Sequence, residues 1–197
     1  ESKDPALFKA GAQLHTALGR HLAAKGLDNI TPAERKDASA AFKEAVKAWD
    51  KVIAFTSPSF DVFGDDVTSK QKQLQSLGKE AMFLKGELYL DRAKLHPGKS
   101  AEAKRIVAEG LDFIQMDSTE YLADVDLGYW RLYIVLGKLY AWIGEDKNAL
   151  DEIADGEGFG YVVSKLGTVI QTGEKQGVAI PQQFKHVYTQ AVYESVK

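Results

Sequence analysis

The sequence predicts an all-helical chain, and three observations carry that reading. Alanine, leucine, lysine and glutamate recur throughout the 197 residues. These are good helix formers, and strand-like alternation of apolar and polar residues is hard to find. Helix starts and stops punctuate the chain: Thr-Pro and Ser caps, prolines and isolated glycines. Finally, four stretches centred on glycines share a common pattern. Eight or nine helices, paired antiparallel within a single domain over residues 1–197, are expected.

Each element has its own signal. Pro5 opens a first helix to about Lys25, with Gly26 as its C-terminal cap. Thr31-Pro32-Ala33-Glu34 forms a capping box with proline at the first helical position, so a second helix runs to about Phe55. The segment TSPSFDVFGDDV reads as a loop. Thr68-Ser69-Lys70-Gln71 is a second capping box, opening a long helix to about Leu95. HPGKS ends it, and Ser100 caps a helix to about Gln115. MDSTEYLADVD fits a short helical turn. A helix from about Asp126 to Ile143 ends at Gly144, and a short one covers Asp146 to Asp155. After the loop DGEGFG, a helix from Tyr161 to Thr172 stops at Gly173. Pro181 opens the last helix, to near Ser195.

The glycine stretches are ALGRHL, LKGELY, VLGKLY and KLGTVI, centred on Gly19, Gly86, Gly137 and Gly167. Leu, Tyr, Tyr or Ile follows three residues after each glycine. Ala45, Trp49 and Val52, then Ala103, Val107 and Gly110, then Ala149, Ile153 and Gly156 repeat small and large residues at spacings of four and three. Such spacing sets each trio on one helix face. A glycine inside a helix costs about 1 kcal/mol relative to alanine. Gly137 is therefore expected where a neighbouring helix approaches closely, and Gly144 where the chain turns.

This pattern resembles the tetratricopeptide repeat. Tyr133, Leu136, Gly137, Tyr140, Gly144, Ala149 and Ile153 fit that family's motif without a gap. The resemblance covers most of the chain and is strongest over Tyr129–Ala154. The pairs at Gly19 and Gly86 need insertions between their helices, and the fourth keeps only its first-helix half. The resemblance implies a right-handed array of antiparallel helix pairs, an α-solenoid.

Under that register, first-helix positions line a concave groove. Glu80, Glu87 and Asp91 stand at i, i+7 and i+11, bordered by Phe83. The equivalent positions elsewhere are Gln13, Thr16 and Arg20, then Arg131, Ile134, Lys138 and Trp142. The expected partner-binding set is Arg20, Glu80, Phe83, Glu87, Asp91, Arg131, Ile134, Lys138 and Trp142. Members of the family that grip chaperone C-termini carry Lys and Asn at particular groove positions. Thr16, Arg20 and Leu84 stand there, so that ligand class is not implied.

Composition narrows the function further. A net charge of −3, with acidic side chains in excess after residue 98, offers no basic field for nucleic acid. No apolar run reaches a membrane span. Cysteine is absent, which removes disulfides and thiolate sites and favours an exported bacterial protein: periplasmic, or a lipoprotein with its targeting segment trimmed. A cytoplasmic location is the alternative. His15, His21, His96 and His186 show no metal-ligand spacing, and the Glu-x-x-His pair of di-metal bundles is missing. FGDDV groups two carboxylates without the ligand spacing of an EF-hand. No nucleophile elbow, phosphate loop or dinucleotide fingerprint is found. The expectation is a non-enzymatic scaffold that binds a peptide or partner helix, with no cofactor and no metal. A small-molecule carrier of a bacterial envelope is the alternative, its pocket walled by Phe83, Tyr129, Trp130 and Trp142. The sequence sets no oligomeric state.

Overall fold

The computed structural model describes residues 4–62, 67–150 and 158–197. Among the described residues all regular structure is helical. The chain divides into two compact units, residues 1–97 and 98–197.

The first unit holds helices α1 (Pro5–Ala23), α2 (Pro32–Thr56) and α3 (Ser69–Ala93), with a 3-10 turn Ser57–Asp61 inside the expected loop. Local side-chain chemistry starts each helix. The Asp4 carboxylate accepts from the Ala6 N–H at 2.9 Å, ahead of Pro5. At α2 the Glu34 N–H donates to Thr31 Oγ1 at 3.2 Å, while the Thr31 N–H donates to Glu34 Oε2 at 3.0 Å. At α3 the reciprocal pair is Gln71 N–H to Thr68 Oγ1, 3.3 Å, and Thr68 N–H to Gln71 Oε1, 2.8 Å. Lys25 holds Glu34 at 2.5 Å. That hydrogen bond, together with the Thr31 contacts, lowers the Glu34 carboxyl to about 2. Each box satisfies backbone donors that a helix start otherwise leaves open. Thr31→Ala and Thr68→Ala should each cost about 1 kcal/mol in urea unfolding; midpoints equal to wild type would show the boxes to be energetically idle.

Ala38, Phe42, Ala45, Trp49 and Val52 of α2 form the centre of this unit's core with Ala12, Ala81 and Leu88. The expected trio of Ala45, Trp49 and Val52 is thus fully inside. Gly19 is where Phe42 enters: a Cβ there would lie 2.5 Å from the ring.

The second unit begins with α4 (Ala101–Asp112), capped by Ser100 Oγ on the Ala103 N–H at 3.2 Å. α4 runs on as a π-helical turn, Phe113–Asp117, then a 3-10 turn, Ser118–Glu120. Helix α5 (Leu127–Ile143) ends at Gly144, whose φ of 80° places it in the left-handed region. The Gly144 N–H donates to Ala141 and the Glu145 N–H to Tyr140, which is a Schellman ending. Helix α6 (Asp146–Ala149) follows; the rest of its expected length, with Ile153 and Gly156, lies outside the described residues.

The next helix differs from expectation. Short α7 (Phe159–Tyr161) passes through a π-helical segment, Val162–Leu166, into α8 (Gly167–Lys175). Gly173 does not stop it. The Schellman ending sits four residues later, with Gly177 N–H on Glu174 and Val178 N–H on Gly173. Gly173 instead makes room for Ile180, 2.5 Å from where its Cβ would be. Helix α9 (Gln182–Ser195) follows Pro181. Leu132, Leu136 and Leu139 of α5 are buried, as are Val162, Leu166, Val187 and Ala191 of the later helices.

Candidate binding site

In the first unit, the acidic stripe of α3 meets two cations of α1. Lys9 Nζ lies 2.7 Å from Glu80. Arg20 Nε lies 2.7 Å from Asp91, and its Nη2 3.6 Å from Glu87. Four of the expected groove residues, Arg20, Glu80, Glu87 and Asp91, are therefore brought onto one surface. Burial opposes the charge on Arg20, but the Asp91 hydrogen bond and both carboxylates push its pKa above the ordinary value. With the Arg20 side chain 48% exposed, such pairs contribute at most about 1 kcal/mol each. Their main effect is to fix where Arg20 points.

Beside this cluster lies a cavity of about 290 Å³, lined by Gln13, Thr16, Ala17 and Arg20 of α1, Trp49 of α2 and Leu84 of α3. The Thr16 hydroxyl donates to the Ala12 carbonyl at 2.7 Å, so its oxygen is left to accept. Trp49 is 1% exposed, and its indole N–H has no acceptor. An unpaired buried donor costs on the order of 1–3 kcal/mol.

Phe83 does not belong to this surface. It is buried, and the adjacent Leu84 faces the cavity. Successive helical residues point about 100° apart, so one position separates core from cavity.

The four expected residues of the second unit are spread differently over α5. Arg131 is exposed. Ile134 is packed in the core at 3% exposure, because α5 buries residues on most of its circumference. Lys138 is engaged by Glu194 of α9 at 2.9 Å. Burial works against the charged carboxylate, but the Lys138 hydrogen bond and charge hold Glu194 below its ordinary pKa. Trp142 is half-buried, and a Cβ on Gly98 would lie 1.9 Å from its backbone carbonyl oxygen.

A second cavity, of about 630 Å³, opens in this unit between Tyr129, Trp130, Tyr161, Asp124, Lys165 and neighbours. The Tyr161 ring stacks with Tyr133, at 4.6 Å between centroids, and with Trp130, at 6.0 Å. The Tyr129 hydroxyl lies 3.2 Å from that of Tyr161 and 3.5 Å from that of Tyr133. Burial, then these hydrogen bonds, raise the Tyr129 pKa, so its hydroxyl stays a neutral phenol. The Trp130 indole donates to the Asp124 carbonyl at 2.6 Å. Of the four aromatics expected to wall one pocket, Phe83, Tyr129, Trp130 and Trp142, only Tyr129 and Trp130 are among the lining residues of this cavity. Tyr133 and Tyr161 were missed. Tyr133 was within reach of the sequence, four residues from Tyr129 on the same helix face. Tyr161 comes from another helix, and nothing in the sequence ties it to this cluster.

Among the described residues no group of three or more His, Asp or Glu side chains could hold a metal ion, and no helix is long and apolar enough to cross a membrane. The carboxylates of FGDDV lie outside the described residues. The geometry defines an all-helical protein with a cavity in each unit. Comparison with protein-family models, curated proteins and solved structures finds no match.

Proposed function

We propose that this protein is a binding scaffold built of tetratricopeptide-like helix pairs, whose first unit receives a short segment of a partner protein. The observation that carries the reading is the α1–α2–α3 cavity beside the Arg20 cluster. Three residues set on the groove by the repeat register, Gln13, Thr16 and Arg20, line it together. The repeat register itself gains support from the glycines. Phe42 crowds Gly19, Phe159 crowds Gly137 and Tyr188 crowds Gly167, so three of the aligned positions each take an aromatic ring from a later helix.

The cavity's chemistry suits an extended peptide. Leu84 and the Trp49 ring accept an apolar side chain, and Arg20, held by its carboxylates, meets a backbone or side-chain carbonyl at the mouth. Binding energy would come from the apolar anchor, orientation from the charges. Selection from a random peptide library followed by titration tests this. The selected peptides should lose about tenfold or more in affinity, on the order of 1.4 kcal/mol, with Leu84→Arg or Arg20→Glu at unchanged helicity. Peptides indifferent to both variants would discard the reading.

The tyrosine-walled cavity favours a second reading, a small-molecule carrier. Its tyrosine hydroxyls, with Asp124 and Lys165 nearby, suit a compact polar ligand.

A further inference from the structure

Helix α1 carries an apolar stripe on the side away from the cavity. Leu7, Leu14 and Leu18 are 59%, 69% and 47% exposed. Together with Gly11 they fall within about 60° of one another at 3.6 residues per turn, while Gln13, Thr16 and Arg20 of the cavity point to the opposite half of the helix and Ala17 to its flank. A Cβ on Gly11 would meet nothing within 4 Å. Spacings of four, three and four residues are those of a helix seam that packs against another helix. Charge is excluded from the stripe: between Ala6 and Ala24 only Lys9 and Arg20 carry full charge, and both are turned to the carboxylates of α3.

We propose that the stripe is a self-association surface, in which α1 packs antiparallel on α1 of a second copy of this chain. The occupant follows from self-complementarity. A twofold axis between Ala12 and Gln13 sets Leu14 of each copy over Gly11 of the other, a large side chain into an open notch, and Leu7 against Leu18. The same axis brings the Asp4 carboxylate of each copy beside the other's His21, so the ends pair acid with imidazole. Among the described residues of α1 no like charges are brought face to face, and between Leu7 and Leu18 a basic or acidic partner helix would find no charge on the stripe to pair with. A symmetric contact uses one patch twice. It also leaves Thr16 and Arg20 of the peptide cavity uncovered, since they lie on the other side of α1.

A contact of one 19-residue helix per copy sits at the small end of specific interfaces, so mass should be read over about 1–300 µM protein. Sedimentation equilibrium of the full chain should show the mass rising from 21.7 kDa towards twice that value. Leu14→Glu, at an exposed position, should keep wild-type helicity and remain at 21.7 kDa. Cysteine cross-linking then reads the register, in a chain that has no cysteine of its own. Leu7→Cys and Leu18→Cys proteins should form a covalent dimer when mixed and oxidised. Neither should do so alone, because like positions are about 16 Å apart along the antiparallel pair at 1.5 Å per residue, and a disulfide needs Cα atoms within about 7 Å. A wild type monomeric at every concentration, a Leu14→Glu protein that dimerises like wild type, or either single-cysteine protein cross-linking as fast as the mixture would overturn the proposal.

Discussion

Gly137→Leu is expected to lower the stability of the chain by about 1–3 kcal/mol or more. The reason is steric. A Cβ at 137 would lie 2.8–3.0 Å from the near edge of the Phe159 ring, and Gly158 crowds the same point, its own Cβ position being 2.8 Å from the Gly137 Cα. Phe159 is buried at 4% exposure, so its ring has nowhere to swing. Urea unfolding of the variant, with Gly11→Ala as the contrast, isolates this cause. Within one chain Gly11 faces open space, so in dilute protein, where copies are apart, the added methyl should stabilise α1 by up to about 1 kcal/mol. Opposite signs from two mid-helix glycines are the expected result. An unchanged midpoint for Gly137→Leu would mean that α5 and the Phe159 segment do not meet closely, and the repeat register would go with it.

The second large effect is expected at Trp49. Among the described residues it is the largest fully buried side chain, and it packs in the core with Phe42, Leu88 and Val52. Trp49→Ala should cost about 3–5 kcal/mol through lost burial and the cavity left behind. Trp49→Phe should cost far less, because it keeps an aromatic ring in the core; both variants remove the indole N–H that finds no acceptor. Losing an unpaired buried donor offsets part of the smaller ring's lost burial. Equal losses for the two variants would mean that an aromatic ring at this position contributes nothing to the core's packing. The comparison bears on function too, since Trp49 walls the proposed peptide cavity.

Several parts of this molecule were legible because their causes lie within a few residues. The boxes at Thr31 and Thr68 and the Ser100 cap each close hydrogen bonds over three positions. The turn at Gly144 needs a left-handed residue, which glycine supplies without strain. The α3 stripe of Glu80, Glu87 and Asp91 followed from helix periodicity alone. Gly173 and Gly177 were harder to separate. Either could end a helix, and the choice falls on Gly177 because Ile180 folds back over Gly173.

By itself, the sequence determined that the described chain is helical, where most of its helices begin, and which residues share a helix face. Those features come from capping, propensity and a fixed turn of about 100° per residue. Only the tertiary structure decided what each face meets. It put Leu84 rather than Phe83 at the cavity, buried Ile134, tied Lys138 to Glu194, and gathered Tyr129, Tyr133 and Tyr161 into one cluster. It also left Leu7, Leu14 and Leu18 uncovered. Periodicity fixes the angle between side chains on one helix but not the rotation of that helix against its neighbours, which the packing of many side chains sets together.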